Sequence, residues 1–215
     1  MNNDFKKPFK ALLIDFGGVL YDIDTDRTVS AFKALLSANS QANIDISPDL
    51  QINYQSMPFM AQYERGDISS KEFIDIVSNQ FGITNKQVII DAWNSTLIGL
   101  KTNIDRVLAE LADDYPLYLL SNTNDLHHSY FAEDCEVIFK YFKHLYFSYQ
   151  VGMQKPNQDI FQKVLEDTKL NPEDILFVDD VYANIQAAQS LNIATYHVDE
   201  VNNTMYKLSD YLHTV

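Results

Sequence analysis

The chain has 215 residues, 46% hydrophobic and 21% charged, with 6 Gly and 6 Pro, a globular composition that excludes disordered, collagen-like and mini-protein classes. Sixteen Lys and Arg against thirty Asp and Glu give a formal net charge of -14, which, without a basic run, opposes binding to a nucleic-acid backbone. The one cysteine, Cys135, excludes an intrachain disulfide and a Cys-based zinc site, and reads as a small buried hydrophobe.

Lys6, Lys7 and Lys10 before an apolar run resemble the opening of a signal peptide, but Asp15 and two glycines cut the run short. No run reaches the roughly 18 apolar residues of a membrane span, so the expected location is the cytoplasm. Ala11–Phe16 itself reads as the first buried strand. From about Asp22 to Gly99 the periodicity is helical, with no convincing buried strand. Ser69 and Glu72 have capping-box spacing, Phe73, Ile76 and Val77 form an apolar stripe, and Gly82 supplies a stop. This stretch is too long for a connection and reads as a helical insertion.

The spacing of Thr102 and Asp105 opens a helix with Ile104, Val107, Leu108 and Leu111 on one face. Leu117–Ser121, Leu145–Tyr149, Ile175–Val178 and Ala194–Val198 follow as strands, and Pro156–Thr168 is the clearest helix between them. Alternating strands and helices imply an α/β fold with a parallel sheet. The expected division is an α/β core of residues 1–20 and 100–215 with a helical insertion at 21–99.

Ligands of open α/β sheets bind beyond the carboxyl ends of the strands. Asp15-Phe16-Gly17-Gly18 ends the first strand, Ser121-Asn122-Thr123-Asn124 the second and Asp179-Asp180 the fourth, while Lys155-Pro156 follows the third. Alone, each has an ordinary reading as a cap or solvated loop. Together they make a coherent site: Asp15 can attack phosphorus, and the glycines let the backbone turn closely around a ligand. Asp179 and Asp180 add like charges that a hard cation such as Mg2+ relieves. Ser121 and Asn122 can bond phosphate oxygens, and Lys155 supplies the positive charge that an anionic substrate needs in an acidic protein.

These four segments, with Asn184 after the last, resemble the motifs of the haloacid dehalogenase (HAD) superfamily of hydrolases, over nearly the whole chain. The insertion, with Tyr63 to Ser69 and Trp93-Asn94, is similar to the four-helix cap of one subgroup, some of whose members dephosphorylate sugar phosphates such as glucose 1-phosphate. The resemblance implies a Rossmann-like core and Asp15 as nucleophile, forming an aspartyl-phosphate. It further implies phosphoryl binding by Ser121 and Lys155 with help from Asn122. Mg2+ would be held by Asp15, the Gly17 carbonyl and Asp180, with Asp179 behind them or sharing the role.

Gly17 departs from the pattern, because phosphatases of this superfamily usually carry a second Asp there as general acid. His127 and Asp24 are the expected substitutes, with His128 and Asp22 beside them; His144, His197 and His213 read as structural. The expectation is a Mg2+-dependent phosphatase for a small phosphorylated metabolite. The alternatives are a 2-haloacid dehalogenase, whose leaving halide needs no proton, and a catalytically weak phosphate- or metal-binding protein.

Overall fold

The computed structural model describes residues 8–38, 58–199, 204–212 and 214–215. Lys6, Lys7 and His213 lie outside them. In chain order the elements are β1 (Ala11–Ile14), β2 (Tyr21–Ile23), α1 (Thr25–Ala38), α2 (Pro58–Glu64), α3 (Ser70–Phe81), α4 (Lys86–Asn94) and β3 (Leu97–Leu100). There follow α5 (Ile104–Asp114), β4 (Leu117–Ser121), α6 (Asp125–Phe139), β5 (Phe142–Phe147), α7 (Ser148–Val151) and α8 (Gln158–Thr168). The chain closes with β6 (Ile175–Asp179), α9 (Tyr182–Ser190), β7 (Ala194–His197) and α10 (Leu208–Leu212).

Five strands form a parallel sheet in the order β5-β4-β1-β6-β7. Because side chains alternate along a strand, each central strand feeds two cores. Leu12, Ile14, Leu119 and Val178 pack on one face with Ile104 and Leu108 of α5 and Phe131 and Cys135 of α6. Leu13, Leu120 and Phe177 pack on the other with Ile160 and Phe161 of α8 and Ile185 of α9. The result is a three-layer α/β/α core with β1 at its centre. No described helix is long and apolar enough to cross a membrane.

Helices α1 to α4 build a separate apolar cluster from Phe32, Tyr63, Phe73, Val77, Ile89 and Trp93. The capping box at Ser69 is present, and Gly82 ends α3 in the left-handed conformation at φ 65°. Between the first strand and these helices the chain forms something the periodicity does not reveal, an antiparallel ribbon of β2 and β3. Each strand is three or four residues long, and their pairing is non-local, so neither shows as an apolar run.

Strand β1 stops at Ile14 rather than Phe16, β6 runs on to Asp179 and β7 stops at His197; three other boundaries differ as follows. The third core strand begins at Phe142 and stops at Phe147, because as an edge strand it exposes Lys143 and His144 and breaks the apolar run. Helix α8 starts at Gln158, after Pro156. The cap position of α5 is Asn103, at φ 58° and without a side-chain cap bond, rather than Thr102, whose carbonyl accepts from Tyr206.

Candidate active site

The parallel sheet carries the carboxyl ends of β4, β1 and β6 side by side, which brings Ser121, Asp15 and Asp179 to one edge. Lys155 enters from the loop before α8. Its Nζ donates to Asp15 Oδ1 at 2.6 Å and to Asp179 Oδ2 at 2.7 Å, all three residues being buried. Burial alone would depress the Lys155 ammonium, but the two carboxylates hold it above its ordinary value. Burial pushes the Asp15 carboxyl above the usual range, with repulsion from Asp179 and Asp180 working against the pull of Lys155.

Asp179 is fully committed. Besides Lys155 it accepts from the Val181 N–H at 2.7 Å and from Asn184 Nδ2 at 3.1 Å. Asp180 is not: its Oδ1 is buried and has no hydrogen-bond partner among the described residues. His197 Nε2 donates to the Asp180 carbonyl at 2.9 Å and fixes the loop that carries it. One ligand atom each from Asp15, Asp179 and Asp180 lie within 4.8 Å of one another. An oxygen-only set with one orphaned oxygen fits a hard divalent cation such as Mg2+.

The two glycines do different work. Gly18 has φ +77°, and a Cβ there would stand 2.2 Å from Asp180 Oδ2, so a side chain would displace the acidic cluster. At Gly17 a Cβ would meet only the Ile23 side chain, Cδ1 at 3.4 Å and Cγ2 at 3.8 Å, both ordinary contacts.

Asn122 lines the cavity beside Ser121, and its side chain is engaged there. Its Nδ2 donates to the Lys155 carbonyl at 2.8 Å and its Oδ1 accepts the Lys155 N–H at 2.9 Å, so the side chain latches the lysine's backbone. Ser121 Oγ makes one long contact, 3.4 Å to the Asn122 carbonyl, and lines the cavity with Lys155. Ser148, which sequence reasoning missed, accepts the Thr123 N–H at 2.9 Å and donates to the Thr123 carbonyl at 3.0 Å, holding the Ser121 loop. The signal available was a serine directly after an apolar strand run, the same pattern as Ser121.

Neither expected substitute acid is placed for the task. Asp24 Oδ1 accepts the Asp26 N–H at the start of α1, and the residue does not line the cavity. His127 does line it, but its Nε2 donates to the Trp93 carbonyl at 3.2 Å and its Nδ1 takes the Asn124 amide at 3.2 Å. The ring stacks on Trp93 at 4.8 Å, and burial lowers its pKa to about 4. Its neighbour His128 bonds the Tyr149 hydroxyl at 2.6 Å, and Asp22 pairs with Lys101 at 2.6 Å across the ribbon.

The cavity over this site has a volume of about 360 Å3 and is walled by both halves of the chain: Gly17, Ser121, His127 and Lys155 below, Met60, Glu64 and Trp93 above.

A D-ribitol-5-phosphate phosphatase of Bacteroides thetaiotaomicron is 30% identical to this chain over 197 residues, spanning 87% of the chain and 90% of the relative. A HAD family enzyme of the same organism, solved with magnesium and inorganic phosphate, superimposes with a TM-score of 0.77 at 33% identity, over 91% of this chain and 96% of its own. A predicted HAD-like family hydrolase from Porphyromonas gingivalis gives 0.79 at 29% identity, over 97% and 100%. Residues 9–192 match the haloacid dehalogenase-like hydrolase family, and the chain belongs to it.

Proposed function

We propose that the protein is a Mg2+-dependent phosphomonoester hydrolase for a small phosphorylated metabolite, a sugar phosphate or sugar-alcohol phosphate. The observation that carries this reading is the unequal commitment of three clustered carboxylates. Lys155 ties Asp15 to Asp179, while Asp180 keeps a buried oxygen with no partner. A dehalogenase has no use for that oxygen, whereas a cation ligand does.

Asp15, Asp180 and the Gly17 carbonyl would hold the cation, with Asp179 behind them. When bound, Mg2+ neutralises the repulsion between carboxylates and an incoming phosphate dianion. Asp15 attacks phosphorus in line, and an aspartyl-phosphate forms as the ester oxygen departs. Lys155 Nζ, already against Asp15, follows the charge onto the phosphoryl oxygens, and Ser121 Oγ donates beside it. Asn122 keeps Lys155 in register through its backbone, and Asn184 and the Val181 N–H keep Asp179 in register. Water then hydrolyses the aspartyl-phosphate.

In this reading residues 21–99 are the cap domain over a core of 1–20 and 100–215, and the leaving group occupies the space beneath Met60, Glu64 and Trp93. The similarity to a D-ribitol-5-phosphate phosphatase and to enzymes solved with magnesium and phosphate supports the substrate class and the metal. The setting is the cytoplasm, where a lone thiol such as Cys135 stays reduced.

The test is a panel of phosphorylated metabolites assayed with Mg2+, with chelator, and after readdition of Mg2+. Activity on sugar or sugar-alcohol phosphates should vanish with chelator and return with the metal. Full activity in chelator, or none on any phosphate ester, overturns the reading.

A further inference from the structure

An alkyl phosphate leaves as an alkoxide that needs a proton, and Gly17 has no side chain to give one. Among the described residues lining the cavity, the ionisable side chains are Glu64, His127 and Lys155. His127 has both ring nitrogens engaged and is held neutral by burial. Lys155 is tied to two carboxylates, and its ammonium is held charged. Glu64 differs from both, since its carboxyl has no hydrogen bond or ion pair among the described residues.

Its position is defined from several sides. Glu64 ends α2 four residues after Met60, so the two share the face that looks into the cavity. The neighbouring Tyr63 is locked to the core: the Leu126 N–H donates to its hydroxyl at 3.2 Å, that hydroxyl donates to Ser70 Oγ at 2.9 Å, and Ser70 donates to Asp125 at 2.7 Å. On the other side, Gly66 lies so close to the Tyr149 carbonyl that an added Cβ would stand 2.2 Å from its oxygen. Arg65, the adjacent cation, turns away to Asp67 at 2.6 Å. Burial holds the Glu64 carboxyl above the usual carboxylate range, with Arg65 opposing, which favours the protonated form an acid requires.

We propose that Glu64 is the general acid of the hydrolase, reaching over the site from the helical insertion to protonate the leaving oxygen. As the Asp15 oxygen bonds to phosphorus, the bond from phosphorus to the ester oxygen breaks, and that oxygen takes the Glu64 proton to leave as an alcohol. In the second step the Glu64 carboxylate takes a proton from the attacking water. The new bond from phosphorus to the water oxygen replaces that to Asp15, phosphate departs, and Glu64 is again protonated. This role rests on the phosphatase reading above.

The experiment compares the wild type with Glu64→Gln at saturating Mg2+ on two esters, a sugar-alcohol phosphate and p-nitrophenyl phosphate, whose phenol leaves without a proton. Glu64→Gln should lower the rate of phosphoenzyme formation, read by rapid quench in a single turnover, by about 100-fold or more on the alkyl ester and leave it within a few-fold on the aryl ester, while the shared hydrolytic step slows alike for both. Calorimetric binding of Mg2+ and inorganic phosphate should be unchanged. Glu64→Asp, which keeps the acid on a shorter arm, should lie between and serves if the amide fails to fold. An equal fall in phosphoenzyme formation from both esters makes Glu64 a binding residue and overturns the proposal, as does no fall on either. A wild type that hydrolyses neither ester fails the phosphatase reading itself, a result distinct from any change at Glu64.

Discussion

Asp179 and Asp180 are adjacent in sequence and opposite in use. Asp180 offers a free oxygen, so Asp180→Ala should weaken Mg2+ binding by more than the roughly 10–100-fold typical of an outer-shell change. Asp179→Asn should cost less metal affinity but leave Lys155 held by Asp15 alone, lowering affinity for inorganic phosphate; calorimetry of both ligands on both variants separates the effects. Asp15→Asn, nearly isosteric, should keep the melting temperature and abolish turnover, and rapid quench with labelled substrate should trap a phosphoprotein only in the wild type. His127 gives a pH dependence of stability. Its folded pKa is lowered to about 4 from 6.5, so the unfolded chain takes up a proton first as pH falls. The stabilisation is complete above about pH 6.5 and declines between there and pH 4, by an amount on the order of a few kcal/mol. A His127→Gln variant, less stable at neutral pH, should lack that part of the decline in denaturant titrations across this range.

Local signals read the elements well where the burial is two-sided. Strands β1, β4 and β6 appear as apolar runs because helices cover both faces of the sheet, and α3 appears through its cap and stripe. The ribbon stayed hidden because β2 and β3 are short and recognise each other across more than seventy residues of intervening chain. Asp15 and the acidic pair were legible because each closes an apolar strand run, and Lys155 because it stands before Pro156 at the head of a helix. The Asn122 latch and the Ser148 clamp depend on partners far along the chain, which no local pattern encodes. Two glycine variants test the turns between elements. Gly18→Ala forces an alanine into the left-handed region, at about 1–2 kcal/mol, and pushes on Asp180; it should lower the melting temperature and the Mg2+ affinity together. Gly17→Ala, whose methyl meets the Ile23 side chain at ordinary contact distances, should do neither.

At the scale of the molecule, an excess of fourteen negative charges surrounds a pocket that must admit an anion. Screening shortens from about 30 Å to about 8 Å between 0.01 and 0.15 M ionic strength. With Mg2+ saturating, kcat/KM for a phosphate ester should therefore rise across that range; a fall would mean that the local field of Lys155 and the metal governs encounter. The charge balance was legible in the sequence, and so was the need for a local cation. The way the insertion sits over the sheet was not, since it depends on bonds such as Trp93 Nε1 to Asn124 at 3.2 Å.

The ribbon at the base of that insertion has a bearing on how such enzymes diversify. Where the chain leaves the ribbon and where it returns, the Asp24 N–H donates to the Thr96 carbonyl at 2.9 Å. The helices between those two points are thus a detour whose ends already touch, so a detour of another length or sequence should be accepted across the same hydrogen bond with Asp15, Lys155 and the acidic pair unmoved. Transplanting residues 25–95 from a relative should accordingly carry over substrate preference while metal affinity stays with the host. If Glu64 is the proton donor, such a graft transfers half of the chemistry with the selectivity, and only donors bearing a carboxyl at that helix end will yield an active chimera on alkyl esters.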